Sequence, residues 1–592
     1  MSAAELDGVR LAVVTNRLQS IARSMMNTVL RTGRSGVLNS ARDFSCCILT
    51  GGDELLAAAD SLPIHVMSGP DLMARVMREL HHDIAPGDAF LHNSPYQGNS
   101  HAADHSFLVP VFDDAGRHRL TVLVKAHQAD CGNSVPTTYM STAVDVYEEG
   151  ALIFPCVRVQ RDYQDCDDIL RMCEVRIRVP DQWRGDYLAA MGAARIGERK
   201  LRELGADIGW DALDALAEQW FDYSERRMRS AIGRLQSGTI EVTSIHDRFP
   251  GLPDGLELRI GVRVDAEQEA IEVDLRDNVD CQPCGLNLTE STSRTAAMVG
   301  IFNSLHDEIP LNSGAFRRLR VLLRENCIVG IPRHPASCSV ATTNVADRVS
   351  CGVQRALAEL CPGAGQAEVG YVIPPADGVI SGSDERGPFV NQIFLAVGGG
   401  AASPHADGWF TAAHVGNAGL TLLDSVEMDE ARFPIRVHAR GLLPDSEGAG
   451  QQRGAPAAMA EFGPVGTSLT LMYAQDGCES PALGARGGGA GGRARQWKHA
   501  ADGSRTELEP VAQLVLAPGE RVLSHTCGGG GYGSPLSRDP AAVALDVREG
   551  WIGAQRALEA YGVVIAADGA VDEAETQRLR RAMRAGEDVA DV

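Results

Sequence analysis

Four residues in one stretch of this 592-residue chain have the types and spacing to hold a metal ion: His101, Asp104, His127 and Asp130. Imidazole and carboxylate together suit Zn²⁺, Mn²⁺ or Fe²⁺, and two His with one Asp leave coordination positions open to water or substrate. His127 and Asp130, at i and i+3 just past an apolar run, can turn toward one ion, while His101 arrives from a Gly/Asn/Ser-rich loop. Histidine and aspartate are also common solvated groups at the ends of hairpins, so spacing alone does not make a site.

The flanking sequence supplies elements that bring the four together. Phe107–Phe112 and Leu120–Val124 are apolar runs joined by Asp113-Asp114-Ala115-Gly116-Arg117-His118, a spacer with the length and turn composition that closes antiparallel hairpins. Pairing symmetric about that turn sets Asp104 opposite His127 and His101 opposite Asp130, at the open end of one hairpin.

The same stretch resembles the hydantoinase B family, which includes subunits of acetone and acetophenone carboxylases and the second half of ATP-dependent 5-oxoprolinases. The family's Asn-Asp-Pro-Tyr-x-Gly-Gly-x-His-x-x-Asp segment is here Asn93-Ser94-Pro95-Tyr96-Gln97-Gly98-Asn99-Ser100-His101-Ala102-Ala103-Asp104, and its His-x-x-Asp-x-Gly-Gly is His127-Gln128-Ala129-Asp130-Cys131-Gly132-Asn133. Ser94, Asn99 and Asn133 depart from the pattern. Arg42-Asp43-Phe44-Ser45-Cys46, Tyr147-Glu148-Glu149-Gly150 and Ile309-Pro310-Leu311-Asn312 extend the resemblance over nearly the whole chain. It implies His101, His127 and Asp130 as ligands of a divalent metal, Zn or Mn. Asp104, opposite His127 and present in the same motif, is then placed to hydrogen-bond a ligand or to act as general base.

Composition narrows the class of protein. A net charge of −23 repels phosphate backbones and anionic lipid, and no Lys/Arg cluster overturns it, which argues against nucleic acid and membrane surfaces. A 44% hydrophobic and 22% charged composition is that of a globular chain, long enough for several cores. No basic leader precedes an apolar run and no spanning segment is present, which places the chain in the cytoplasm with reduced thiols. Cys281-x-x-Cys284 has no second pair at zinc-ribbon spacing and is given no role.

The fold is expected to be α+β and multidomain: an N-terminal mixed α/β domain with the metal-bearing hairpin (1–238), a middle α/β domain (239–440), a β-rich part (441–535) and a helical tail (536–592). Leu11, Val14, Leu18, Ile21 and Met25 form one stripe of a long helix ending at Gly33. Helices are expected over 70–80, 181–204 and 211–235, the last two separated by Gly205 and Gly209, and strands over 45–49, 152–159, 256–264 and 271–275. Glu148 and Glu149 read as solvated face residues, and Arg348 as a surface or interdomain salt-bridge partner. The Gly/Arg-rich run at 484–495 reads as a mobile exposed insert, Gly528–Gly533 as a sharp exit turn, and the tail from Gly586 as frayed.

No G-x-x-x-x-G-K-[ST] cradle occurs, although the resembled enzymes require ATP. The resemblance implies that ATP and Mg are held by a hydantoinase A-like ATPase subunit with an actin-like fold, so that this chain is half of a hetero-oligomeric enzyme. The partner would phosphorylate an amide or enol oxygen. Two activities fit: opening of a cyclic amide such as a hydantoin, a lactam or 5-oxoproline, and carboxylation of a ketone; a third reading is a non-catalytic scaffold for the ATPase subunit.

Overall fold

A computed structural model describes residues 8–305, 308–412 and 414–586; the expected fraying of the tail falls almost wholly outside these. The architecture is mixed α and β, built on four sheets. The largest has seven strands in the order Leu55–Ala58, Phe44–Thr50, His118–His127, Asp104–Phe112, Ala89–His92, Val157–Arg161 and Gln164–Asp165. Every pairing in it is antiparallel.

Alternation along the strands explains how this sheet is sandwiched, because successive side chains leave on opposite faces. Val109, Val111, Val122 and Val124 join Cys46 and Ile48 under the helices Gly8–Thr32 and Pro180–Ile208. Leu108 and Leu123 point the other way, with Cys47 and Leu49, onto Met73 and Met77 of the helix Pro70–Leu80. Both faces are buried, so the strands read as apolar runs. Val14, Leu18, Ile21 and Met25 are buried as the stripe predicts, each contributing roughly 1.5–3 kcal/mol of transfer free energy.

The hairpin has the expected register, with Asp104 paired to His127 and Val109 to Val122. The helix expected to stop at Gly205 runs on to Ile208, because Gly205 leaves room for the Trp210 ring: a Cβ there would lie 2.4 Å from it. Gly209, at φ +85°, makes the break instead. The strand expected over 152–159 spans Val157–Arg161.

Further along, Gly238–His246, Leu256–Asp265, Ala270–Asp274 and Leu319–Leu322 form a four-stranded sheet against the helices Glu290–Ser304 and Val345–Leu360. Two more sheets follow, of four and five strands, and then the helices Pro540–Arg548, Ala554–Tyr561 and Glu573–Ala585.

The Gly/Arg-rich run is not an exposed insert. Its main chain is threaded between other glycine-rich segments: Gly528 N donates to Gly492 O, Gly531 N to Gly489 O, and Gly529 N to Ala455 O. A Cβ on Gly488 would lie 2.1 Å from Gly531 O, and one on Gly529 would lie 2.0 Å from Gly400 O. Glycine is required here by contact between backbones rather than by flexibility, and Gly528–Gly531 is a layer of that packing rather than an exit turn. Arg348 is fully buried, bonded to Asp476 and stacked over Tyr371, so it is a buried interior ion pair rather than a surface one. No helix among the described residues is long and apolar enough to cross a membrane.

Candidate metal centre and reaction chamber

Asp104 opens one strand of the hairpin and His127 closes the other, so their pairing brings a carboxylate and an imidazole together; His101 joins from the turn that leads into Asp104. Asp104 Oδ1 lies 3.1 Å from His101 Nε2 and 3.0 Å from His127 Nδ1, and the two rings stack at 5.1 Å. The ligating atoms of His101, Asp104 and His127 lie within 4.8 Å of one another, and this is the only such group among the described residues. All three residues are buried.

With both rings neutral, the hydrogen bonds around this group set which atom carries the proton. His101 Nδ1 donates to Ser339 O at 2.8 Å, leaving Nε2 a lone pair. Thr138 Oγ1 gives its proton to Gln128 O and accepts from His127 Nε2, leaving Nδ1 a lone pair. Asp104 Oδ2 accepts from Ser100 Oγ, which in turn accepts from the buried Lys125 Nζ at 2.8 Å, and it lies 3.3 Å from His65 Nε2. His101 Nε2, His127 Nδ1 and Asp104 Oδ1 thus face one another, as three lone pairs when the rings are neutral and as ring N–H donors to the carboxylate when they are protonated. That donor set suits a borderline cation, and each ring's second nitrogen is held by an oxygen, as metal-binding imidazoles require.

Electrostatics agree. Burial opposes a charge on Asp104, yet His101 and His65 beside it, with hydrogen bonds from His101 and His127, hold its carboxyl well below the usual range. Burial lowers Lys125 to about 8, the attraction of Asp104 only partly offsetting it.

Asp130 does not join the group. It is buried, but Oδ2 accepts from Arg178 N at 2.6 Å, and Oδ1 accepts from Gly132 N and from the Arg178 guanidinium, each at 3.1 Å. Glu149, expected to be solvated, is buried and accepts from Ser337 Oγ, in the segment whose Ser339 carbonyl holds His101; Glu148 remains on the surface.

The group opens on a cavity of about 30 Å³, room for about one water or ion. Its wall includes Asp43, His65, His101 and His127 from the N-terminal sheet region, and Ser339, Ile373, Gln392 and His414 from the rest of the chain. Non-glycine residues at positive φ cluster here: Ile373 (+63°), His414 (+41°), and Arg42 (+61°) beside Asp43. Such strain persists only where the surrounding structure imposes it. Sequence patterning missed His65, Asp43 and His414, which are single residues of short elements brought in by tertiary contacts; only Asp43 lay in a quoted motif.

The sequence profile of hydantoinase B/oxoprolinase matches residues 7–535. The chain belongs to that family. It is 30% identical to the beta subunit of the caprolactamase of Pseudomonas jessenii over 98% of this chain and 99% of that one. It is 27% identical to the B-type subunit of a putative D-/L-hydantoinase of a Pseudomonas strain (98% of each) and 24% identical to the delta subunit of the acetophenone carboxylase of Aromatoleum aromaticum (98% and 90%). A crystal structure of the ATP-dependent caprolactamase of P. jessenii superposes with a TM-score of 0.88 at 27% identity, over 98% of this chain and 100% of that one. This is thus a hydantoinase B-type subunit, related to subunits of multi-subunit ATP-dependent enzymes.

Proposed function

We propose that this chain is the metal-bearing subunit of an ATP-dependent enzyme that opens a cyclic amide of the hydantoin, lactam or 5-oxoproline type, with ATP and Mg²⁺ held by a partner subunit of actin-like fold. The observation that carries this reading is the convergence of His101 Nε2, Asp104 Oδ1 and His127 Nδ1, all within 4.8 Å of one another, at the edge of a cavity. Full-length similarity to a caprolactamase subunit, stronger than that to a carboxylase subunit, favours amide opening over carboxylation.

The residues divide the work. His101, Asp104 and His127 would hold Zn²⁺ or Mn²⁺ in preference to Mg²⁺, which disfavours imidazole. The ion would supply Lewis acidity and lower the pKa of a water ligand. Asp104 would serve as a ligand through Oδ1 rather than as a free base, its Oδ2 being taken up by Ser100 Oγ and faced by His65. Ser339 and Thr138 hold the rings; Ser100, Lys125 and His65 hold the carboxylate. The small chamber keeps bulk water from an activated amide.

The test is co-purification with the cognate ATPase subunit, elemental analysis, and assay of caprolactam, hydantoin and 5-oxoproline with ATP, with and without bicarbonate. We expect about one Zn or Mn per chain and ATP-dependent ring opening indifferent to bicarbonate. A bicarbonate requirement with a carboxylated product would replace this reading by the carboxylase one. A well-folded, metal-free wild type would leave the scaffold reading.

A further inference from the structure

The reaction chamber has a second titratable group, which the metal centre does not use. His414, buried, lies with Nε2 3.4 Å from Asp377 Oδ2 and Nδ1 3.7 Å from Asp347 Oδ2. Asp377 is fully buried and Asp347 nearly so; Gln392 Nε2 donates to Asp377 Oδ1 at 3.1 Å. His414 Nδ1, Asp347 Oδ1 and Asp377 Oδ2 make no hydrogen bond of normal geometry, so the imidazole is held between the two carboxylates by charge. Burial works against that charge, but Asp347 and Asp377 push the imidazole up to about 10.

Its position is as informative as its partners. Beside the chamber lies an outer cleft of about 390 Å³, lined by Val369, Ala401, Trp409, Phe410 and Val415 with the amides of Asn303 and Gln366. That volume and mixed lining are those of a small-molecule site, typically roughly 300–1,000 Å³. Among the described residues, His414 is the one common to the walls of cleft and chamber. A ring seated in the cleft with its carbonyl toward the metal group would meet His414 at the junction.

We propose that His414 is the catalytic acid that protonates the ring nitrogen, and thereby decides whether the ATP spent opens the ring. The inference rests on the amide-opening reading above. Once the amide oxygen carries a phosphoryl group, water adds to the carbon: its oxygen forms the new C–O bond, the C=N electron pair moves to nitrogen, and nitrogen takes one of the water's protons. The resulting tetrahedral carbon bears OH, O-phosphate and NH, and it can collapse in two ways.

If the C–N bond breaks, its electron pair stays on nitrogen, which takes the His414 proton. The hydroxyl proton leaves to solvent, from which His414 is recharged, and the products are the amine and an acyl phosphate that water then hydrolyses. If the C–O bond to phosphate breaks instead, the pair leaves on phosphate, the hydroxyl loses its proton and the starting amide re-forms, with ATP consumed for nothing. Phosphate is the better leaving group unless nitrogen is protonated as it departs. An acid whose strength is close to that of an alkylammonium, and which is still charged at neutral pH, suits that task.

The test uses the assembled complex and whichever of caprolactam, hydantoin or 5-oxoproline the wild type opens, in H₂¹⁸O. For His414→Gln we expect ring opening to fall by at least about 10²-fold while ADP forms at close to the wild-type rate, and the recovered cyclic amide to carry ¹⁸O. Asp377→Asn should move the ADP-to-amine ratio in the same direction but less, and added imidazole should restore ring opening to His414→Ala. A parallel loss of ADP and amine in His414→Gln and Asp377→Asn, with no ¹⁸O in the recovered amide and no imidazole rescue, overturns the proposal while leaving the amide-opening reading intact. A wild-type complex that opens no cyclic amide overturns that reading and this one with it.

Discussion

The two groups lining the chamber are near-inverses of each other. In one, the carboxylate Asp104 meets His101, His127 and His65, with Asp43 3.6 Å from His65 at its edge; in the other, a single imidazole, His414, meets Asp347 and Asp377. Both are buried, so neither can rely on water to screen an imbalance. The first has imidazoles in excess of carboxylates, and on the reading proposed above a cation from outside would complete it. The second has carboxylates in excess and is completed by keeping a proton: opposite unit charges 3.4 Å apart attract by about 5 kcal/mol at an effective dielectric of 20. On that reading the ratio of imidazole to carboxylate would decide whether such a cluster takes a metal or makes its own cation. One chamber can thus hold an electrophile and an acid that do not neutralise each other.

Removing the carboxylate from the imidazole-rich group should have the largest effect. Asp104→Asn is expected to lose the metal and to lower ring opening by more than about 10³-fold, and to destabilise the fold by on the order of 3 kcal/mol, because His65, Ser100 and Lys125 lose the charge they surround. Elemental analysis, turnover and thermal unfolding on one preparation check it. Retained metal with lost turnover would restore Asp104 to the role of general base and break the comparison at its first term.

Loosening the support of that carboxylate should do less. Ser100→Ala leaves Lys125 Nζ without its hydrogen-bond partner and Asp104 Oδ2 without a donor. Changes to groups that hold metal ligands weaken metal affinity by about 10- to 100-fold. Competition with a chelator of known affinity measures this, and unchanged affinity would mean that the ion does not depend on the orientation of Asp104.

A third cluster tests the rule where no imidazole intervenes. Asp424 and Asp429 are buried together; burial and Asp377 raise Asp424 to about 6 against the hydrogen bond from Phe394 N, burial and Asp424 raise Asp429 to about 8, and Arg432 and Arg440 pull both down less strongly. Both carboxyls are raised above the ordinary 3.8, so the folded chain keeps protons that the unfolded chain releases. Their contribution to stability is complete below that value and is lost as pH rises through about 6 and about 8. Asp429→Asn should therefore melt several degrees higher than wild type at pH 8.5, with the gain shrinking toward pH 4. An equal shift at both pH values would show that the effect is packing and not ionisation.

How much of this was legible in the sequence follows from the range over which each signal acts. The long amphipathic helix and the hairpin register rest on periodicity and a local turn, and both appear where the residues place them, so Asp104 meets His127. The glycine-rich run was misread because low complexity looks the same whether a segment is solvated or packed; the deciding contacts come from glycines some 36 to 46 residues away in the chain. Glu149 was misread because a paired Glu-Glu says nothing of Ser337, which buries one of the two. His414 carries no pattern at all. Its meaning depends on Asp347 and Asp377, in two separate elements that fold against it.

The smallest expected effect on the metal is the most discriminating. Family resemblance names Asp130 as a ligand, whereas its carboxylate is satisfied by Arg178 through both main chain and guanidinium, and by Gly132 N. A carboxylate already answered by an arginine and two amides has little left to give an ion, and moving it would leave the partly buried Arg178 guanidinium with the Asn133 carbonyl alone. Asp130→Asn should keep full metal content, losing only on the order of 1–3 kcal/mol of stability as the Arg178 contact weakens. If instead the metal leaves with Asp130 while the fold survives, the Arg178 bond is a resting-state latch that yields to the ion. The imidazole-rich group would then need two carboxylates, and its contrast with His414 would shrink to a difference in geometry rather than in composition.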